Sequence, residues 1–446
     1  MPRHAQIEAW LAREPAWRQF VALLRREPMP AYLVGGSVRD ALLGRSGCDL
    51  DVVVEGDALS LGRRLADRLG GAYMPLDSER HVARIILKTG DAVLHVDLAG
   101  LRAPDILGDL WDRDLTINAM ALPLHGSDAL LDPTGGQADL QARLVRMVTP
   151  ASFGNDPARV LRALRLSEAL GFALTPDTAA ALERYAPALA RVSPERLRDE
   201  LCQILALPDA VTPLVGALEC GALAVMLPEL GDAPAMRRVL AVLAVVESPN
   251  PREEFSFWPP AAHWNEELTF GHSRWLMVKW AALLAGVGTS AEVTAIAQRL
   301  RLSVREARYL ADAVGSCAQV LGWRDAAALD PLTIYRHYRR AGDAGVAGSL
   351  LAWAWHKSAG VESPVLAQHV QALWCAWFGQ YEALVDPPTL LTGDQLMDAL
   401  GLAPGPVVGR LLETVREAQV QGHVRTHEQA LDWARRLHTA GSGLAP

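Results

Sequence analysis

Asp49 and Asp51 stand two apart in the run Asp49-Leu50-Asp51-Val52-Val53-Val54. Alternate residues of a strand share a face, so both carboxylates project together while Leu50 and Val52 pack behind. Two carboxylates one strand step apart suit magnesium, a hard cation that keeps waters and is held by one or two carboxylates plus substrate phosphates. Two such ions would polarise an attacking hydroxyl and offset the charge on a departing pyrophosphate. Just upstream lies Gly35-Gly36-Ser37-Val38-Arg39-Asp40. Its glycines let backbone N–H groups approach a triphosphate closely; Ser37 adds a donor and Arg39 a cation. A third carboxylate is expected on a neighbouring strand. Asp97, in His95-Val96-Asp97-Leu98, interrupts an apolar alternating run, and a buried-facing Asp needs a partner that a metal would supply.

A sheet is needed to hold these groups. Residues 1 to 27 place Ile7, Trp10, Leu11, Trp17, Phe20, Val21 and Leu24 at helical spacing. A short apolar run, Ala31–Val34, precedes the glycines, and Leu50–Val54 forms a second. A helical stretch with Leu59, Leu61, Leu65 and Leu69 follows, and then Ala83–Lys88 and Ala92–Leu98 flank Thr89-Gly90-Asp91 as a β-hairpin. A small mixed sheet with helices is expected over residues 1–150. After Phe153 the composition turns to Ala, Leu, Arg and Glu, and the rest reads as almost entirely helical, with breaks at Ser248–Pro251 and Asp386–Pro388. The expected class is α+β, with a head over 1–150, a helical neck over 151–250, a helical body over 251–385 and a tail over 386–446.

Composition narrows the possibilities. Half of the 446 residues are hydrophobic and 21% are charged, which excludes a disordered, collagen-like or coiled-coil chain. The net charge is −8, whereas a protein that coats nucleic acid should be basic. A polyanionic partner must therefore meet a local patch. The five cysteines, Cys48, Cys202, Cys220, Cys317 and Cys375, are odd in number and lack a CxxC, so neither a disulfide framework nor a zinc site is expected. With no apolar export segment at the N-terminus and no run of about 18 apolar residues, the expected compartment is the cytoplasm.

Longer strings carry a resemblance. Tyr32 to Gly44, followed by Asp49–Val54, resembles motif A of the class II tRNA nucleotidyltransferases. That family comprises the CCA-adding enzymes, their CC-adding and A-adding relatives, and bacterial poly(A) polymerases, and it implies a polymerase-β-like head. Trp111 to Ala121 is similar to the family's RRDxTINAxA motif, with Asp112 where an Arg is usual. It implies that Arg113 and Asp114 contact the ribose and that Asn118 belongs to the same nucleotide-binding set. Asp132-Pro133, Gly135-Gly136 and Asp139-Leu140 resemble the hinge between head and neck. Phe153 to Arg165 resembles the EDxxR motif, an amino-acid template for the base, with Asn155 where Glu is usual. On a helix, Asp156 and Arg159 share a face. The carboxylate would accept from the exocyclic amino group of cytosine or adenine and the guanidinium would donate to ring acceptors. Uracil and guanine would leave buried groups unpaired, at about 1–3 kcal/mol each. Arg162 is a further expected triphosphate contact. Asp156 before Pro157 is also what a helix N-cap with proline at the first position looks like. Val192 to Leu201 resembles the neck motif SPERxxxEL and reads mainly as scaffold.

Two departures from the family sharpen the reading. Val278 to Gly288 sits where many relatives carry the start of an HD phosphohydrolase domain, but Ala285 and Gly286 replace its His and Asp and offer no metal donor. His272 nearby is expected to be a surface or packing histidine. Between Asp97 and Arg113 only Leu98 to Asp112 intervene, where CCA-adding members resemble one another in a longer flexible loop that is linked to the switch from CTP to ATP. The short span favours a CC-adding enzyme using CTP and two magnesium ions on tRNA, with a separate A-adding enzyme completing the end. An A-adding enzyme using ATP, a full CCA-adding enzyme and a poly(A) polymerase are the alternatives. A non-catalytic RNA-binding relic and an HD-type hydrolase are the rivals from other classes. Arg299, Arg301, Arg305 and Arg308, and Tyr335 to Arg340 with aromatics between cations, are candidate RNA contacts. Leu390 to Ala430 resembles the tail that holds the tRNA elbow.

Overall fold

Val34 is the last extended residue before Gly35, whose φ of +65° turns the chain from strand into helix. A computed structural model describes residues 3–47, 49–78, 81–89, 92–248, 251–269, 271–323 and 328–439. Cys48, Gly90 and Asp91 of the hairpin turn, and residues 249–250 of the first break lie outside them. Among the described residues no helix is long and apolar enough to cross a membrane. The chain divides into two compact units, Met1–Ser193 with Gly216–Met226, and Pro194–Val215 with Leu227–Pro446. This division cuts across the neck expected over 151–250.

The first unit is built on six strands: β1 (Ala31–Val34), β2 (Asp49–Val54), β3 (Ala72–Asp77), β4 (Val82–Thr89), β5 (Ala92–Gly100) and β6 (Ala121–Pro123), in the order β3-β4-β5-β2-β1-β6. Within this sheet β2 and β5 run parallel and the other described pairs antiparallel. The alternation of each strand decides its faces: Leu50, Val52, Ala83, Ile85, Leu94, Val96 and Leu98 are buried together. Burying such a side chain contributes roughly 1.5–3 kcal/mol. The opposite face carries Asp49, Asp51, Arg84, His95 and Asp97.

The expected N-terminal helix is two, α1 (Arg3–Leu11) and α2 (Pro15–Leu24), because Pro15 starts a new helix. Their Trp10 and Trp17 rings stack at 4.7 Å. Next come α3 (Gly35–Leu43) and α4 (Ala58–Leu69), the latter capped by Asp57, whose side chain accepts from the Leu59 and Ser60 amides. α5 (Ile106–Trp111) packs Ile106 and Leu110 with Val34 and Val53, which brings Asp112 to Asp114 toward the carboxylate face. α6 (Gly136–Ala142) is joined by Asp139, which accepts from Thr116 Oγ1 at 2.6 Å and from Arg146. α7 (Ser152–Asn155) and α8 (Arg159–Leu170) follow, with a short strand pair, Leu144–Val145 and Ala173–Leu174, between head and helices.

Among its described residues the second unit is helical apart from one small strand pair, Glu267–Thr269 with His272–Ser273. Trp280 and Trp374 are fully buried in it. Leu396, Leu411, Val415, Ala430 and Ala434 form a separate core within the last segment. The helix Arg274–Leu284 ends at Ala285. At Gly286 a Cβ would lie 2.8 Å from Val239 Cγ1, so the position where the HD resemblance expects Asp has closed around glycine. His272 pairs with Glu306. The interleaved Tyr335–Arg340 stretch is corrected: Tyr335, His337 and Tyr338 are buried core residues, not stacking surfaces, because helical spacing turns them inward on the helix Pro331–Ala341. Arg336 and Arg339 pair with Glu417 and Glu413, and Arg299 and Arg301 with Glu229 and Glu195.

Candidate active site

Parallel pairing of β2 with β5 sets Asp51 opposite Asp97 and Asp49 opposite His95. Asp49 is exposed at the strand's start and accepts from or faces His95 Nδ1 at 3.1 Å. Asp51 is half-buried; burial and then the Asp97 charge raise its carboxyl above the ordinary range, against the lowering effect of Arg113 and Arg162. Gly35 and Gly36 press on it. A Cβ at either would sit 3.2 Å from Asp51 Oδ2, so only glycine leaves this oxygen open on the helix side.

The partner expected for Asp97 was a metal; in the fold Arg84, one strand over, donates to both its oxygens at 2.7 and 2.8 Å. Ser37 is engaged within the fold. Its hydroxyl, 2% exposed, accepts from the Asp51 amide at 2.7 Å and faces the Asp49 carbonyl at 3.4 Å. It therefore pins β2 to α3. Arg39 is similarly engaged, donating to both oxygens of Asp40 and to Asn118 Oδ1 at 2.6 Å.

Asn118 links onward to Asp114 at 3.3 Å, and Asp114 also accepts from the Leu115 amide and pairs with Arg162 at 2.9 Å. Burial alone would raise Asp114; Arg162 and these hydrogen bonds outweigh it and hold the carboxylate below its usual range. The residues expected at ribose and at triphosphate thus pair with each other. Arg113 donates to Asp109 through Nε and Nη2, at 3.1 and 2.9 Å. Sequence reasoning missed Arg84, His95 and Asp109. The signals were Arg84 and His95 at polar positions of the alternating hairpin, and the i, i+4 spacing of Asp109 and Arg113.

The Asp156–Arg159 pair is brought together, but not on one helix. α7 ends at Asn155, Asp156 is extended (φ −143°, ψ 95°), and α8 begins at Arg159. Pro157 disfavours helical geometry for the residue before it. Asp156 Oδ1 accepts from the Ala158 amide at 3.3 Å and Oδ2 lies 3.9 Å from Arg159 Nε, so the side chain has part of the cap role as well. Arg159 Nη1 donates to the Ser152 carbonyl at 3.1 Å. Both residues line a cleft of about 820 Å³ together with Asn155, Arg102, Asp112 and His81. Asp49, Asp51 and Asp97 are not among its lining residues; the cleft wall is formed by the segments that follow them on β2 and β5, Glu55–Asp57 and Gly100–Pro104.

Among the described residues no group of three or more His, Cys, Asp or Glu side chains is placed to hold a metal by itself. Asp49 and Asp51 nevertheless fit magnesium. They offer oxygen donors from one face, and a cation there would offset the charge that Asp97 imposes on Asp51. Magnesium takes its remaining ligands from water and phosphate.

The Poly A polymerase head domain matches residues 31–146, the region described as the RNA and SrmB binding site of polymerase A matches 171–233, and tRNA nucleotidyltransferase domain 2 matches 277–434. A CC-adding tRNA nucleotidyltransferase of Geobacter sulfurreducens is 36% identical over 92% of this chain and 92% of its own. The chain belongs to the tRNA nucleotidyltransferases. An A-adding member of Deinococcus radiodurans is 32% identical over 92% of this chain and 98% of its own. The Thermotoga maritima CCA-adding enzyme complexed with tRNA, 23% identical, shares the fold at a TM-score of 0.65 over 96% of this chain and 98% of that one. An α+β nucleotidyltransferase head followed by helical regions is the family's architecture in this chain.

Proposed function

We propose that this tRNA nucleotidyltransferase is a CC-adding enzyme: it transfers two cytidylates from CTP to the 3′ end of tRNA, without a nucleic-acid template, and releases pyrophosphate. The observation that carries the reading is the short span from Asp97 to Arg113. It holds only the end of β5, a turn and the six residues of α5, in a chain similar along its length to a CC-adding relative. Asp49 and Asp51 would hold magnesium together with the triphosphate, and the ion would supply polarisation of the attacking 3′ hydroxyl and charge neutralisation at the leaving pyrophosphate. Gly35 and Gly36 leave room for the triphosphate against Asp51. Arg84 and His95 hold Asp97 and Asp49 in place. Arg113 and Asp114 with Asn118 bound the sugar side, and Asp156 with Arg159 presents the acceptor and donors that cytosine requires. In this proposal the head over 1–150 carries the transfer, the neck over 151–250 the base choice, and the body and tail the tRNA, in the cytoplasm, with a separate A-adding enzyme finishing the end.

The similarity to the Deinococcus A-adding enzyme over nearly that enzyme's whole length favours A addition as the second reading. One gel assay separates them. tRNAs ending at the discriminator base, at C and at CC are each offered CTP, ATP or both, with magnesium. Addition of two residues from CTP and none from ATP on the CC end is expected. Extension of the CC end by ATP alone would invert the assignment, and extension of none would leave an RNA-binding relic.

A further inference from the structure

The helices Val304–Leu321 and Pro331–Ala341 bound a pocket of about 280 Å³ in the second unit. Four of its lining residues are arginines, Arg305, Arg308, Arg339 and Arg340, all exposed at the surface. Two carboxylates share the lining, and each already has a cation: Asp312 pairs with Arg308 at 3.5 Å, and Asp343 with Arg274 at 2.8 Å. Arg339 is taken by Glu413 at 3.2 Å. Arg305 and Arg340 make no ion pair or hydrogen bond with any side chain among the described residues. Arg305 feels the Glu266 charge and Arg340 the Asp312 charge, but neither is held by a hydrogen-bonded carboxylate, so both guanidinium forks are open at one spot of a chain whose net charge is −8.

A second feature points the same way. Tyr309 lines this pocket, is only 4% exposed, and its hydroxyl has no hydrogen-bond partner. A buried polar group left unpaired costs about 1–3 kcal/mol. Burial and the Asp343 charge both keep the phenol protonated, so it is available as a donor. One buried hydroxyl donor beside two guanidinium groups whose donors are not hydrogen-bonded to a carboxylate is a site for a phosphate oxygen, since guanidinium forks match phosphate geometry.

We propose that this pocket seats one backbone phosphate of the RNA substrate. The identity of the polyanion rests on the function proposed above; the anion chemistry does not. Because the arginines lie at the surface, a polymer can cross the pocket and place a phosphodiester in it. A free phosphate or pyrophosphate has the same chemistry, and the test distinguishes the two.

The full chain would be compared with the double variant Arg305→Gln/Arg340→Gln and with Tyr309→Phe. For the double variant, tRNA affinity is expected to fall roughly tenfold at physiological salt, and the slope of log affinity against log salt to drop by about one to two. Its kcat at saturating tRNA and its KM for CTP stay unchanged. Tyr309→Phe, which removes no charge, weakens tRNA binding roughly threefold with the slope intact. Unaltered tRNA affinity and slope in the double variant overturn the proposal. So does calorimetry in which wild-type chain binds inorganic phosphate or pyrophosphate and the double variant does not, while tRNA affinity is equal in both. Wild-type chain that neither binds nor extends tRNA would overturn the functional reading as well, a failure visible before any variant is compared.

Discussion

Asp51 is the residue on which the site turns, because its oxygen meets Gly35, Gly36 and the facing Asp97. Asp49→Ala or Asp51→Ala is expected to abolish nucleotide incorporation and to leave tRNA binding in place; gel extension and filter binding measure the two separately. Arg84 supports the same carboxylates through its paired contact with Asp97. Its charge is also coupled to Asp51, whose carboxyl burial and then the Asp97 charge already raise, and removing the cation raises it further. Arg84→Gln should therefore move the acid limb of the pH–rate profile to higher pH, with the rate recovering as pH rises. A limb that stays put would mean that Arg84 braces the hairpin without tuning the site. Arg159→Ala removes the donors of the base-reading pair, so discrimination against UTP and GTP should fall by about 1–3 kcal/mol while KM for tRNA holds. Competition assays that leave selectivity intact would falsify that role.

Among the elements, the helices Val304–Leu321 and Ala344–Ser358 approach closely at Gly348. A Cβ at Gly348 would lie 2.2 Å from Ser316 Oγ and 2.6 Å from the Ala313 carbonyl. Gly348→Ala should destabilise the chain by about 1–3 kcal/mol, read as a lower denaturation midpoint. Gly286 raises a related question, since it occupies the place where the HD resemblance expects a metal-binding Asp. Ala285→His with Gly286→Asp restores the donor types but drives a side chain into Val239. Loss of stability without phosphohydrolase activity is the expected result. Elements were legible from the sequence where one periodicity ran unbroken, as in β2, β4 and β5. They were misjudged where a proline intervened: Pro15 split the N-terminal helix, and Pro157 put Asp156 outside the helix that Arg159 begins.

For the whole molecule, three histidines make stability depend on pH. Cys202 and Glu306 both hold the His272 proton, raising it to about 10, so its contribution is complete below about 6.5 and is lost as pH climbs toward 10. Burial lowers His337 to about 4, and burial with Arg274 lowers His263 to about 4. Each must take up a proton that the unfolded chain binds more readily, so stability falls as pH drops from 6.5 toward 4. Thermal melting should thus show its highest midpoint near pH 6.5. His272→Gln should flatten the alkaline side only. A midpoint that keeps rising from pH 7 to 9 would contradict the His272 assignment.

The sequence by itself determined the local chemistry: two carboxylates on one strand face, glycines beside them, the Asp–Arg spacing, and the missing HD ligands. These follow from residue type and from distances of a few positions along the chain. Tertiary structure alone decided which groups meet across distance. The parallel pairing of β2 with β5 put Asp97 opposite Asp51, and the neighbouring β4 gave Asp97 to Arg84. Packing of α8 against the head paired Arg162 with Asp114, taking up a group that composition alone would leave open to substrate. In the helical unit, burial turned Tyr335, His337 and Tyr338 into core and left Arg305 and Arg340 at the surface without a hydrogen-bonded carboxylate. A side chain's availability depends on what is folded against it, and that is a property of long-range contacts that local spacing does not contain.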